Sequence, residues 1–541
     1  MNIKRTKEEI KNTIEAYLAK DGFGSYEIPA IRQRPIFLLG SPGIGKTQIM
    51  EQVSKECGVA LVAYTITHHT RQSAIGLPFI STKQYGGKEY AVTEYTMSEI
   101  VGAVYEKMEQ TGLREGILFI DEINCVSETL APAMLQFLQY KSFGNHKIPA
   151  GWIIVAAGNP PEYNKSVREF DMVTMDRVKK IEVEADFGVW KEYAYQQGLH
   201  GAVISYLNAR KQHFYQMETT VDGRNFATPR GWEDLSNFIR VYEKLGKEVD
   251  REVVAQYIQF PKIAKDFANY LELYYKYQAD YQLEEIFQGH LDEILIQKVA
   301  HASFDERLSV LGLILSKVNE ALKQAVSEEW QMERLQSCLM EFKALAAPLP
   351  GEMPMGNNEG VPGEGGIEVR GASGEVRIES GEGVQGDKGA GSGDAQEVFG
   401  GICQKMSAAY EQKKKAELLG REEDAQYRRL LQTMERFAQT LKLEGIAQRG
   451  QAFRRVKELF AVENGIYERR QEEASHALEY AFDFLEGAFG SGQEMVMFIT
   501  ELNSNYHSVK FLQGCDCPRY FQYNQELLFD EKRRKLLERL S

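Results

Sequence analysis

Short apolar runs alternate with helical periodicity along the first third of the chain: PIFLLG at 35–40, VALVAYTIT at 59–67, ILFIDE at 117–122, WIIVAAGN at 152–159 and VKKIEVE at 178–184. Strands covered on both faces read as near-continuous apolar runs, and the stretches between these are long enough for crossover helices. The pattern predicts an α/β fold with a parallel sheet. From about 187 to 345 the strand signals stop. In WEDLSNFIRVYEKLG the residues Trp232, Leu235, Phe238, Ile239 and Tyr242 fall on one helical face, so a helical lid and further helices are expected. Between Pro348 and Asp394 the chain turns to Gly, Pro and Glu with almost no aromatic residues, too little apolar surface to offset the entropy of ordering. As a flexible coil that linker spans about 40 Å root-mean-square. Helical spacing returns afterwards, with Leu431, Met434, Phe437 and Leu441 as apolar positions. Four segments follow: a core with an N-terminal helix at 1–186, a helical lid at 187–347, a disordered linker at 348–394 and an all-α C-terminal region at 395–541.

Composition narrows the class. A length of 541 residues exceeds one ordinary core, and 43% hydrophobic with 26% charged residues lies in the globular range. The formal charge of −14 opposes nonspecific binding to polyanions, which depends on clustered Lys and Arg. The opening MNIKRTKEEIKNTIEAYL is a charged amphipathic helix without an apolar signal segment, and no stretch has the apolar length of a membrane span. A cytoplasmic protein is expected. Six cysteines are too few for a disulfide scaffold in a chain of this length, so reduced thiols are expected.

The chemistry is concentrated at strand ends. Gly40-Ser41-Pro42-Gly43-Ile44-Gly45-Lys46-Thr47 follows an apolar strand and opens a helix that closes at Gly58, the context of a phosphate loop. Its glycines let backbone N–H groups turn toward phosphate oxygens, Lys46 reaches the β and γ phosphates of ATP, and Thr47 ligates Mg²⁺. Asp121 and Glu122 end a buried strand. Asp121 is the candidate to hold the Mg²⁺ shell, and Glu122 to polarise the attacking water. Asn159 ends a third strand, suited to orienting water against the γ phosphate, although a turn Asn before proline has the same local sequence. Arg177 and Arg230 offer the further cations that phosphoryl transfer needs. Thr228 as N-cap and Pro229 in the first turn would set Arg230 at a helix N-terminus. Arg177 precedes the last strand, where it faces a neighbouring subunit or pairs with Asp176 or Asp171.

In this order GSPGIGKT, ILFIDEIN, AAGNP, MDRV and ATPR resemble the phosphate loop, acidic strand, sensor one, arginine finger and sensor two of AAA+ ATPases, and the DEIN and GNP forms are similar to the MoxR family. The resemblance covers about residues 30–280. It implies a ring, usually a hexamer, and a chaperone-like ATPase acting on partner proteins that often carry a von Willebrand factor A domain. Cys125 stands where that family commonly has Arg, MDRV replaces DRF, and the helical tail lies outside the ATPase core. Residues 79–93 read as a hairpin about Gly86-Gly87, matching an insertion such ATPases carry after their second strand. His68-His69-Thr70-Arg71 leads into it, and adjacent histidines on a strand point opposite ways, against a metal site. Cys515-Asp516-Cys517 is too closely spaced and lacks a second pair for zinc. The leading function is therefore ATP hydrolysis coupled to remodelling of a protein client. The alternatives are a nucleotide-gated scaffold without turnover, which could dispense with Glu122 and Asn159, and a nucleic-acid motor, which the acidic balance opposes.

Overall fold

The computed structural model describes residues 1–68, 70–143, 145–163, 167–168, 170–220, 223–281, 283–346 and 394–528. The expected linker, apart from Asp394, and His69 lie outside the described residues. The chain divides into two compact units. The first comprises 1–191, 210–265 and 410–424, and the second comprises 192–209, 266–409 and 425–541.

In the first unit the strands are β1 (Ile36–Gly40), β2 (Ala60–Thr65), β3 (Pro78–Tyr85), β4 (Lys88–Tyr95), β5 (Gly116–Asp121), β6 (Ser142–Phe143), β7 (His146–Lys147), β8 (Trp152–Gly158), β9 (Lys179–Val183), β10 (Gln216–Thr220) and β11 (Gly223–Ala227). Five of them form the expected parallel sheet, in the order β2-β5-β8-β1-β9. Alternate residues of the central strands β1, β5 and β8 enter different cores. Ile36, Leu38, Ile117, Phe119, Ile153 and Val155 pack with Ile10 and Ile14 of α1 (Ile3–Leu18) and with Ile49, Met50 and Val53 of α2 (Lys46–Cys57). Phe37, Leu118, Ile120, Ile154 and Ala156 join a second core. There they meet Ile100 and Val104 of α4 (Glu99–Thr111) and Met134 and Phe137 of α5 (Ala131–Tyr140); α3 (Arg71–Ile75) lies between β2 and β3 in sequence. Burial on both faces is why these strands read as unbroken apolar runs. Phe137 is fully buried and stacks on Phe143 with centroids 4.1 Å apart, so truncating it to Ala should cost about 3–5 kcal/mol.

The hairpin β3–β4 turns at Gly86 and Gly87, whose φ values of 58° and 79° suit a two-residue turn that follows the strand twist. A second ribbon, β10–β11, corrects the expectation that strands end near 187. It is antiparallel from Gln216 opposite Ala227 to Thr220 opposite Gly223. Its residues Gln216, Glu218, Thr220 and Arg224 are polar and at most half-buried, so the apolar alternation that marks a strand is missing. After it comes the helix Pro229–Lys244, which buries Trp232, Leu235 and Ile239.

The second unit is helical. Its long helices Phe304–Ala346 and Arg449–Phe489 carry apolar side chains into cores such as the one formed by Leu335, Cys338, Phe342, Phe399, Leu430, Met434, Phe437 and Phe460. Buried charge there is matched by partners: Glu494 meets Arg307 at 2.8 Å, and Glu501 accepts from the Tyr195 hydroxyl at 2.6 Å and from Asn208 at 2.9 Å. Burial, with Glu501 beside it, holds the Tyr195 hydroxyl well above its ordinary range. Among the described residues, no helix is long and apolar enough to cross a membrane.

Candidate functional site

The order β5-β8-β1 sets three strand ends side by side. Leu39 of β1 pairs with Gly158 of β8, and Ile120 of β5 with Ala156, so Gly40, Asn159 and Asp121 emerge on one rim of the sheet. In open parallel sheets the carboxyl ends of strands are where ligands bind. Residues 41–45 turn from β1 into α2, with Gly43 at φ 77° and Gly45 at φ 94°, the left-handed region where a side chain is strained. A Cβ on Gly43 would also lie 3.1 Å from the Thr228 side chain. Ile44 anchors the loop in the core.

Lys46 is buried to 8% exposure. Its ammonium donates to the carbonyls of Gly40 (2.7 Å) and Ser41 (2.9 Å) and to Asn159 Oδ1 (3.0 Å). Burial pushes it down to about 8; Asp121 opposes the shift, Arg230 adds to it, and Glu122 opposes it. That set of influences draws Lys46, Asp121, Glu122 and Arg230 into one electrostatic neighbourhood. Thr47 Oγ1 donates to Asp121 Oδ2 at 3.2 Å, and Glu122 N to Asp121 Oδ1 at 2.9 Å. A hydroxyl and a carboxylate oxygen this close are the hard donors that Mg²⁺ takes, alongside waters and substrate phosphates, so the residues fit the ion. Glu122 stands at φ 57°, a strained conformation of the kind that concentrates at functional sites.

The structure also shows what holds Asn159. Asn124, 4% exposed, donates to Asn159 O at 2.8 Å and accepts from Asn159 N at 3.3 Å. Gly158 leaves room for it: a Cβ there would come within 2.6 Å of Asn124 Oδ1. In the sequence Asn124 stands only as part of DEIN; the signal it carries is that of a polar residue within an apolar stretch after a strand. Arg230 occupies the first turn of its helix, and Thr228 caps that helix by accepting from Gly231 N at 3.2 Å. Arg230 N donates to Gly43 O at 3.2 Å, tying the helix start to the phosphate loop.

Arg177 has different neighbours. It lies between α6 (Met172–Met175) and β9, and its guanidinium donates to Gln139 of α5 at 2.5 Å. The surrounding cleft is about 300 Å³, lined by Pro132, Leu135, Gln136, Thr174 and Val178. Asp171 caps α6 by accepting from Thr174 N at 2.8 Å, and its carboxyl is held below the usual range first by the Thr174 side chain, then by that backbone N–H, with Arg177 a lesser influence.

Residues 35–178 match the family model described as AAA domain, dynein-related subfamily. This segment is an AAA domain. Among solved structures, the chain is similar to a candidate ATPase of Cytophaga hutchinsonii, with 16% identity, 33% of this chain and 51% of that one covered, and a TM-score of 0.20. It is also similar to a single-residue variant of RuvB from Thermotoga maritima, with 14% identity, 48% and 68% covered, and a TM-score of 0.26. The chain spans about half the length of the first of these. No curated protein matches the chain. The AAA domain contains the phosphate loop, both strand-end carboxylates, Asn159 and Arg177, whereas Arg230 lies beyond the matched residues.

Proposed function

We propose that this chain hydrolyses ATP to ADP and phosphate and uses the cycle to remodel a protein client, as a ring-forming ATPase of the MoxR type. What supports the reading most is the convergence of Lys46, Thr47, Asp121, Glu122 and Asn159 on one rim, through the hydrogen bonds and charge influences described. Lys46 and the phosphate loop bind the β and γ phosphates, while Glu122 takes up the proton of the attacking water and Asn159 orients that water. Arg230, whose field reaches Lys46, offsets charge that develops on the transferred phosphoryl group. Thr47 and Asp121 would hold Mg²⁺, which neutralises phosphate charge when bound. Arg177 is the group we assign to the neighbouring subunit's site. AAA+ proteins generally form rings; the hexamer and a von Willebrand factor A domain client belong to the MoxR resemblance.

The test is phosphate release together with nucleotide binding. Lys46→Ala should lose ATP binding. Glu122→Gln should bind ATP and Mg²⁺ but turn over about 10²-fold or more slowly, because it removes a group needed chiefly in the transition state. Equal loss of binding in both variants, or no turnover by the wild type at any protein concentration, would overturn the proposal.

A further inference from the structure

Two attachments and one close approach link the β10–β11 ribbon to the phosphate rim. Before it, the Tyr215 hydroxyl donates to Met217 Sδ at 3.6 Å and stands within electrostatic reach of the Ser41 and Tyr163 side chains. After it, Thr228 lies against Gly43, and Arg230 N bonds Gly43 O. Between these, Arg224 of β11 donates through Nη1 to the Tyr163 carbonyl and through Nη2 to the Glu162 carbonyl at 3.4 Å. Those carbonyls belong to the turn that leaves Asn159, closed by Tyr163 N donating to Pro160 O at 3.1 Å. One short turn therefore separates the side chain that touches Lys46 from the backbone held by Arg224.

We propose that Arg224 is a positioning residue that relays nucleotide state from Asn159 to the β10–β11 ribbon, and through Thr228 to Arg230. The inference rests on the reading of this rim as an ATP site. There the Lys46 ammonium is shared among Gly40 O, Ser41 O and Asn159 Oδ1. A triphosphate competes for that ammonium, which loosens its hold on Asn159. The turn beyond Asn159 shifts with it, and two of that turn's carbonyls are gripped by one planar guanidinium. A fork with two donors fixes both position and tilt, whereas an ammonium supplies one point of attachment. Because the ribbon is anchored to the phosphate loop at its Thr228 end, a pull on its middle changes the angle at which Thr228 delivers Arg230. A relay of this kind requires an element with two arrangements that the bound ligand biases; here these are the ATP and ADP positions of the ribbon.

Hydrogen–deuterium exchange by mass spectrometry tests the relay on the full chain. It compares ATP and ADP states, with Glu122→Gln in every sample to prevent turnover. Peptides from the phosphate loop, from 159–163 and from the ribbon should each differ between ATP and ADP. With Arg224→Ala added, the first two differences should persist and the ribbon difference should fall at least about threefold, at unchanged melting temperature and ATP affinity. In the otherwise wild-type chain the same substitution should slow hydrolysis about tenfold, as misplacement of a distant group does. Arg224→Lys should lie between, since one donor can still reach either carbonyl. A ribbon difference that survives Arg224→Ala overturns the relay, as does a ribbon that never responds while the phosphate loop does. If the phosphate-loop peptide itself ignores ATP, the nucleotide site is misread and the relay falls with it.

Discussion

Asn124 should be as consequential for turnover as residues that face the substrate, although its side-chain amide bonds the backbone of another asparagine rather than the substrate. Its amide exchanges two hydrogen bonds with the backbone of Asn159, at 2.8 and 3.3 Å, in a place that water barely reaches. Asn124→Leu keeps much of the volume and removes both partners. A buried polar group left unpaired costs about 1–3 kcal/mol, so two of them set the expected loss at about 2–6 kcal/mol. The same change frees Asn159 Oδ1 from the position in which it meets Lys46, and a displacement of about 1 Å at such a group can cost about 10²-fold in rate. Asn124→Asp keeps the acceptor and loses the donor, so it should fall between Leu and wild type on both scales. Gly158→Ala approaches from the other side, with a new methyl 2.6 Å from Asn124 Oδ1, and should lower turnover without removing any hydrogen-bonding group. Urea midpoints and steady-state phosphate release on the three variants measure both effects. Wild-type turnover by Asn124→Leu, with less than about 0.5 kcal/mol lost, would refute the claim that Asn124 holds Asn159 in place.

Two further predictions concern charged residues. Lys141, buried to 7% exposure with its ammonium on Gln33 Oε1 (3.1 Å) and Trp152 O (3.5 Å), is pushed by burial down to about 8, so the unfolded chain binds more protons between pH 8 and 10.5. Its buried charge costs most below pH 8, so Lys141→Met should stabilise by about 2 kcal/mol at pH 7 in urea titrations, a gain that shrinks as pH rises through that window; equal gains at pH 7 and 9.5 would refute this. If Arg177 completes a neighbour's site, Arg177→Ala should retain ATP binding and lose about 10³-fold in turnover. Mixing Arg177→Ala with Lys46→Ala chains should then restore activity that neither has alone, and mixed assemblies without restored activity would leave Arg177 as the partner of Gln139.

The parallel sheet was readable because its central strands β1, β5 and β8 are buried on both faces. Ile117 to Ile120 and Trp152 to Ala157 have no solvent side, so their residues are apolar without interruption and the runs stand out from any helical period. The phosphate loop was readable for a different reason: Gly43 and Gly45 answer a backbone requirement, and such requirements leave the same residue types in the same order. The β10–β11 ribbon has neither property. Only Ala227 of its strand residues is buried, most of the others are polar, and what holds it is a partner elsewhere in the chain, as when Phe226 N bonds Gln259 O at 2.9 Å.

The same division runs through the candidate site. Side chains proposed to meet the substrate were named from motifs, because phosphate chemistry permits few residue types. Those that hold them in place were not, since their partners are main-chain atoms that every residue possesses. Asn124 binds the backbone of Asn159, and Arg224 binds two carbonyls that any residues at 162 and 163 would supply. A contact of that sort leaves no mark on the partner's identity, so it cannot be found by asking which residues recur together in a motif. It can be found only by following where each buried backbone group is satisfied. For this chain that question leads from Asn159 back to Asn124, and along the turn at Pro160 to Arg224. On this reading, one residue fixes the start of the turn and the other follows its end.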